Sequence, residues 1–360
     1  MSKVKVSIAG VGCCASSLIQ LVQLAKQGEV LNGIMFETIG KYKASDIEFV
    51  SAFDVSSTKV GHDISEAIFA YPNVAEVHVE VPYLGVCVNP GVLNDGLDGY
   101  LSEVVVPSGE VQKTRLEEII EELKNSNADV LVCYLPTGAA NDVRNYAQAA
   151  LEADVAFINC TPEIIARDEE LRERFLKAGL PLLGDDMRSH LGATTLHTAL
   201  IELFRSRGIS IDNTYQLNFG GNMDFYNLSD STRNRSKQKS KKNALFASGI
   251  NATDVAAGPN GYVKYLEDQK VCYLRLEGTS ILNSKINMEV RLDVEDSPNS
   301  AGVIVSAVRI AKTALDNLDS GTIVDSTCPC LFKSSVEPMS ESEGLLAIQT
   351  YVKEHTDGKN

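Results

Sequence analysis

Six of the ten residues from Arg233 to Lys242 are cationic: Arg233, Arg235, Lys237, Lys239, Lys241 and Lys242. Lys237 and Lys241 are four apart, so on a helix they share a face. Two ammoniums side by side repel, which lowers their proton affinity and fits them to proton transfer and to capture of an anion such as a phosphate. Two other readings stand beside this one. Charge runs are commonly solvated faces, and a basic cluster can mark nuclear import or nucleic-acid contact, although no aromatic residues are interleaved here. Composition alone does not choose. The chain has 33 Lys and Arg against 48 Asp and Glu, a formal net charge of −15, and a pI of about 4.9. That balance argues against a general nucleic-acid binder, which carries a basic footprint.

A second chemical group opens the chain. In "IAGVGCCAS", Gly10, Gly12 and Ala15 match G-x-G-x-x-[GA] directly after the apolar run Val4–Ala9, and Ser16 follows. Glycines permit a tight turn and close approach of backbone to a pyrophosphate, and the following helix start supplies N–H donors. Asp54 ends a second apolar run, Ile47–Asp54. An acid there takes the ribose hydroxyls of NAD and disfavours NADP. The spacing from Ala15 to Asp54 exceeds the usual ~20 residues; an insertion around Asn32–Asp46 accounts for the excess.

The elements that must position these groups read as an alternation of strands and helices. Strands are expected at 4–9, 47–54, 129–136, 155–162 and 180–186, with helices at 116–128, 141–153 and 168–179. This order predicts an α/β chain whose Rossmann-type, doubly wound parallel sheet is built from right-handed βαβ units over residues 1–195. From 196 to 300 the pattern changes. After a helix at 192–208, period-2 stretches at 214–221, 270–279 and 285–296 predict a second, α+β domain for catalysis and assembly. The apolar helix 300–317 opens a segment, 301–360, that returns to the first domain, and the last residues from Glu354 read as frayed.

With 360 residues, 44% of them hydrophobic, the chain can bury a large core. It has no 18-residue apolar run and no secretory h-region, so the expectation is a cytoplasmic protein with no membrane partner. Its eight cysteines lack paired CxxC spacing and read as reduced thiols, and its five histidines form no metal-ligand pattern.

Taken together, "GVGCCASSLIQ", "FDVSSTKVGHDISEAI", "GDDMRSHLGAT", "LNFGGNMDFYNLS", "RSKQKSK", "EDQKVCYLRLEG" and "VEDSPNSAGVI" closely resemble the myo-inositol-1-phosphate synthase family in its shorter bacterial and archaeal form. The resemblance spans nearly the whole chain. It implies a cytoplasmic homotetramer that closes D-glucose 6-phosphate to 1L-myo-inositol 1-phosphate with catalytic NAD. The sugar is oxidised at C5, enolised at C6, joined to C1 by an intramolecular aldol step, and reduced. It also implies a monovalent or divalent cation, relatives differing on which, and a sugar phosphate rather than nucleic acid as partner. Carried onto this chain, the catalytic residues are Lys237, Lys241, Lys270 and Lys333, with Asp186 pairing a lysine. Arg188, Ser189 and His190 fall in the loop that holds the substrate phosphate. Asn222 and Asp224 line the substrate or nicotinamide pocket, and Asp296 lies near the nicotinamide. Arg233, Arg235, Lys239 and Lys242 receive no chemistry and stay with the solvated-face reading.

The chain departs from its relatives at Cys13, where they carry asparagine, and at Arg188 and His190, where they carry lysine and glutamine. Glu163 also replaces an apolar residue. Arginine is a planar fork and histidine titrates, so these changes admit an alternative: the same chemistry on fructose 6-phosphate, giving a five-membered cyclitol phosphate.

Overall fold

The structure is a computed structural model and describes residues 3–29, 31–234, 239, 245, 256–319 and 321–357. Its larger sheet has six parallel strands: β1 (Val4–Ala9), β4 (Ile47–Asp54), β5 (Val88–Pro90), β6 (Val130–Cys133), β7 (Ala156–Asn159) and β8 (Leu182–Leu183). Their order is β5-β4-β1-β6-β7-β8, the doubly wound order with its switch point between β1 and β6. The pleat sorts the core into two layers. Val6, Ile8, Val130, Val132 and Ile158 face α1 (Cys13–Lys26) and a long helix near the C-terminus. Leu131, Cys133 and Phe157 face the other side, with Ile119 and Val143. Those two residues belong to α3 (Leu116–Asn125) and α4 (Ala140–Glu152), and a single-turn α2 (Ile64–Ala67) precedes them. α5 (Glu169–Ala178) starts where Asp168 accepts a hydrogen bond from the Leu171 N–H and stops at left-handed Gly179.

The expected insertion is a small hairpin, β2 (Thr38–Ile39) and β3 (Tyr42–Lys43), lying between α1 and β4. Buried Arg309 fastens it by donating to the Phe36 and Glu37 carbonyls at 2.9 and 3.1 Å.

The second sheet runs β10-β9-β11-β12, with β9 (Ser210–Gly220), β10 (Ala256–Tyr262), β11 (Gln269–Thr279) and β12 (Lys285–Glu295). It is mixed: β10 pairs parallel to β9, and the other pairs are antiparallel. α6 (Ala193–Ser206) covers one face, and the alternating outer residues of β12 leave the other open. α7 (Met223–Asn227) follows β9. α8 (Asp296–Asn317) then returns to the first sheet, packing on α1 and β1. Two single turns, α9 (Thr322–Asp325) and α10 (Cys328–Leu331), lead to α11 (Glu341–Asp357).

Three expectations need correcting. β10 was not anticipated, because "AAGPNGY" holds glycine and proline that weaken strand propensity. The C-terminus is helical through Asp357 and not frayed from Glu354. Arg233 is no solvated cation: it is 6% exposed, and it donates to the carbonyls of Thr137 and Asp95. Its stem fills the space beside Gly138, where a Cβ would lie 2.4 Å from it. Lys239 is exposed. Arg235, Lys237, Lys241 and Lys242 lie outside the described residues.

Arg233→Met removes two charged hydrogen bonds, leaving the Thr137 carbonyl to the Asn227 amide and the Asp95 carbonyl to the Asp98 N–H, and is expected to lower unfolding free energy by roughly 1.5–3 kcal/mol in urea titration. Lys239→Met is expected to stay within about 0.5 kcal/mol. Equal shifts for the two would restore the surface reading of Arg233.

Candidate functional site

A cavity of about 290 Å³ opens where the C-terminal ends of β1 and β6 meet the starts of α6, α7 and α8. At one end lies the glycine turn. Gly10 has φ +90°, and a Cβ there would sit 2.9 Å from the Tyr134 carbonyl oxygen, so only glycine fits. Gly12 precedes α1 with no side-chain cap and with open space beside it, leaving the helix start available to an anion. Asp54 accepts from the N–H groups of Val11, Val55 and Ser56 at 2.8, 2.7 and 2.9 Å. Turn, uncapped helix start and carboxylate together fit a dinucleotide. Ala15 and Ser16 do not reach the cavity wall: both are fully buried in α1, where the Ser16 hydroxyl accepts from Gln20.

The opposite end holds two lysine–carboxylate pairs. Lys333 Nζ lies 2.8 Å from Asp186 Oδ1. Asp186 is itself fully buried behind the cavity wall, at a left-handed φ of 61° that non-glycine residues seldom adopt. Its neighbour Asp185 points the other way. It gathers the Ile165 and Ala166 N–H groups and the Asn159 amide, and burial pushes its carboxyl up to about 6. Lys270 is ion-paired with Asp296. Asn222 caps α7, and its Nδ2 donates to both Asp268 and Asp296 at 3.2 Å. The Asp224 carboxylate accepts from the Thr137 hydroxyl at 3.3 Å.

Beyond these pairs α6 begins at Gly192, again without a side-chain cap, and Ser189, Ala193, Thr194 and Thr195 line the wall. Asn299 of α8 holds the preceding loop. Its amide exchanges two 2.9 Å hydrogen bonds with the Leu191 backbone, and its carbonyl accepts from the His190 N–H at 2.8 Å. Arg188 reaches the wall although it is only 5% exposed, its guanidinium paired with Glu341 at the start of α11. His190 turns away, its ring beside Gly33 and Gly302, and burial lowers its pKa. Glu163 is likewise off the wall and accepts from the Gly138 N–H at 2.8 Å.

Of the sequence-derived site residues, the cavity therefore gathers Gly10, Gly12, Asp54, Arg188, Ser189, Asn222, Asp224, Lys270, Asp296 and Lys333. Lys237 and Lys241 lie outside the described residues. Sequence reading passed over Asp268 and Lys59. Asp268 is 2% exposed and accepts from Ser297 Oγ at 2.8 Å; burial first, then the Asp296 charge, pushes its carboxyl up to about 7. The signal was its place two residues before Lys270, on the same side of the chain. The eight cysteines are free, and burial lifts Cys13, Cys14, Cys328 and Cys330 to about 11, 12, 12 and 11, far from thiolate reactivity at neutral pH. Outside the cavity, Glu76, His78 and Glu295 converge, a grouping their spacing did not announce.

A family model described as myo-inositol-1-phosphate synthase matches residues 192–297. The inositol-3-phosphate synthase of Mycolicibacterium smegmatis is 40% identical over 361 residues, covering 98% of each chain. That of Corynebacterium glutamicum is 40% identical over 365 residues, covering 98% of this chain and 99% of its own. Among solved structures, Ari2 superposes with a TM-score of 0.79 at 36% identity, covering 98% of this chain and 99% of its own.

An acid whose folded pKa is raised contributes stability that is full below its unfolded pKa and is lost as pH climbs through the folded value. For Asp268 that window runs from about 4 to about 7. Asp268→Asn is expected to gain on the wild type across it, by up to roughly 4 kcal/mol, and to hold a constant difference above it. Urea midpoints at stepped pH check this; a difference independent of pH would rule it out.

Proposed function

The chain belongs to the myo-inositol-1-phosphate synthase family, and on that premise we propose that it is an NAD-dependent cyclase converting D-glucose 6-phosphate to 1L-myo-inositol 1-phosphate. The carrying observation is a single cavity with a dinucleotide turn at one end, an uncapped helix start at the other, and the Lys270–Asp296 and Lys333–Asp186 pairs at its wall. NAD, when bound along Gly10, Gly12 and Asp54, supplies reversible oxidation of the sugar.

The protein's own groups supply the rest. The free N–H groups at the start of α6, with Ser189 and Arg188, take the phosphate and so fix the sugar's orientation. Ammoniums at Lys270 and Lys333 face the carbons between phosphate and cofactor. Each stage of the reaction gathers negative charge on a sugar oxygen, and a charged donor already in place stabilises it without reorganisation. Asp296 and Asp186 hold those side chains in place through their ion pairs. Lys237 and Lys241 complete this lysine set by resemblance. The homotetramer stays part of the proposal, and the open face of the four-stranded sheet offers the surface for it. Because His190 and Glu163 do not face the cavity, Arg188 and Cys13 are the departures at its wall; Cys13 sits in the dinucleotide turn, which leaves Arg188 as the one that bears on substrate choice.

The deciding experiment gives the purified protein NAD with glucose 6-phosphate or with fructose 6-phosphate and resolves products by NMR. Inositol 1-phosphate from glucose 6-phosphate is the expected result; a five-membered cyclitol phosphate from fructose 6-phosphate would replace the substrate assignment. Lys333→Ala is expected to reduce kcat at least about 100-fold while NAD affinity stays within about twofold. Wild-type kcat in that variant would remove Lys333 from the chemistry.

A further inference from the structure

Lys59 is 5% exposed at the cavity wall beside the glycine turn. Its Nζ donates to the Val11 carbonyl at 2.8 Å and to Asn73 Oδ1 at 3.0 Å, and it stands 3.7 Å from Asp54 Oδ2. That same Asp54 oxygen accepts from the Val11 N–H at 2.8 Å. Val11, the residue between Gly10 and Gly12, is thus held at both ends, its N–H by the carboxylate and its C=O by the ammonium, with Asn73 Nδ2 adding a 3.0 Å hydrogen bond to that carbonyl. The charges serve each other as well. A buried ammonium needs a counter-charge, and Asp54 is the carboxylate that the described residues place within 4 Å of Lys59.

An acid at the end of the second strand is the group that meets the ribose hydroxyls of a bound dinucleotide and repels a 2′-phosphate. Here that acid has a cation directly behind it. Resting on the dinucleotide reading above, we propose that Lys59 determines which dinucleotide the cavity takes. While Asp54 is a carboxylate, Lys59 is engaged in neutralising it and in bracing Val11. With that carboxylate gone, the same ammonium becomes the receptor for the 2′-phosphate of NADP. The discrimination against NADP therefore belongs to the pair and not to Asp54 alone.

The test is calorimetric titration of NAD and NADP into wild type, Asp54→Ser, Lys59→Met and the double variant, with thermal melts on each. The chain has no tryptophan, so calorimetry is the direct readout. Asp54→Asn, which keeps an acceptor for the backbone N–H groups, stands in if the serine variant fails to fold. Lys59→Met alone should weaken NAD about tenfold, the scale of one lost charged hydrogen bond, and keep the preference for NAD. Asp54→Ser should move the NADP-to-NAD affinity ratio at least about 100-fold toward NADP, and adding Lys59→Met should take away at least about tenfold of the NADP affinity gained. No NADP gain in either Asp54 variant, or a gain that survives Lys59→Met, overturns the proposal. Wild-type protein that binds neither dinucleotide would be a failure of the dinucleotide reading itself, and this proposal would fall with it.

Discussion

An ammonium taken out of water must keep a carboxylate beside it, and a carboxylate so placed must be held by donors of its own. The cavity is organised by that constraint. Lys270 has Asp296, Lys333 has Asp186, Arg188 has Glu341, and Lys59 has Asp54. Each carboxylate in turn is set by backbone: Asp54 at a strand end, Asp296 and Glu341 at helix starts, Asp186 at a left-handed turn. An acidic chain can therefore build a cationic site without a basic surface. Its excess of carboxylates supplies counter-ions, and the fold decides which few cations are enclosed with them.

Neighbouring residues of one type separate into different tasks under the same rule. Asp185 gathers backbone N–H groups, an amide and the Arg167 guanidinium away from the cavity, while Asp186 holds the cavity lysine Lys333. Asp268 and Asp296 share one Asn222 amide; Asp296 takes the Lys270 ammonium, and Asp268 lies buried behind it, where burial and the Asp296 charge drive its carboxyl upward. α8 joins these assignments to the core. Its first residues reach the cavity, and its body lies buried against the parallel sheet.

Much of this was legible in the residues. The apolar runs of the first sheet are buried on both faces, so hydrophobicity alone marks them, and the glycine turn is legible because its geometry excludes every other residue type. The motif words led to ten residues that the cavity does gather. What was hidden depends on distance along the chain. Arg233 reads as one cation in a run, and only the fold brings it to carbonyls near residues 95 and 137. Lys59 sits in a word that carried the family resemblance without being singled out, and its partner Val11 is remote in sequence. β10 escaped because register with β9, not propensity, makes it a strand. His190 was placed with its loop neighbours, yet the backbone at that point turns its ring toward Gly302.

The loop carrying Arg188 to Leu191 is built unlike the rest of the cavity wall. The lysine pairs are anchored on strand and helix ends, where any shift disturbs the core. Arg188 is tied by its N–H to the Leu331 carbonyl and by its guanidinium to Glu341, while beyond it Asn299 holds the loop through three hydrogen bonds that engage only backbone, at His190 and Leu191. Side chains at those positions can be exchanged without loosening the clamp. In evolutionary terms the molecule separates a fixed set of ion pairs from a loop end whose backbone is clamped independently of its side chains, so the sequence at His190 and Leu191 can drift while the cavity wall keeps its shape.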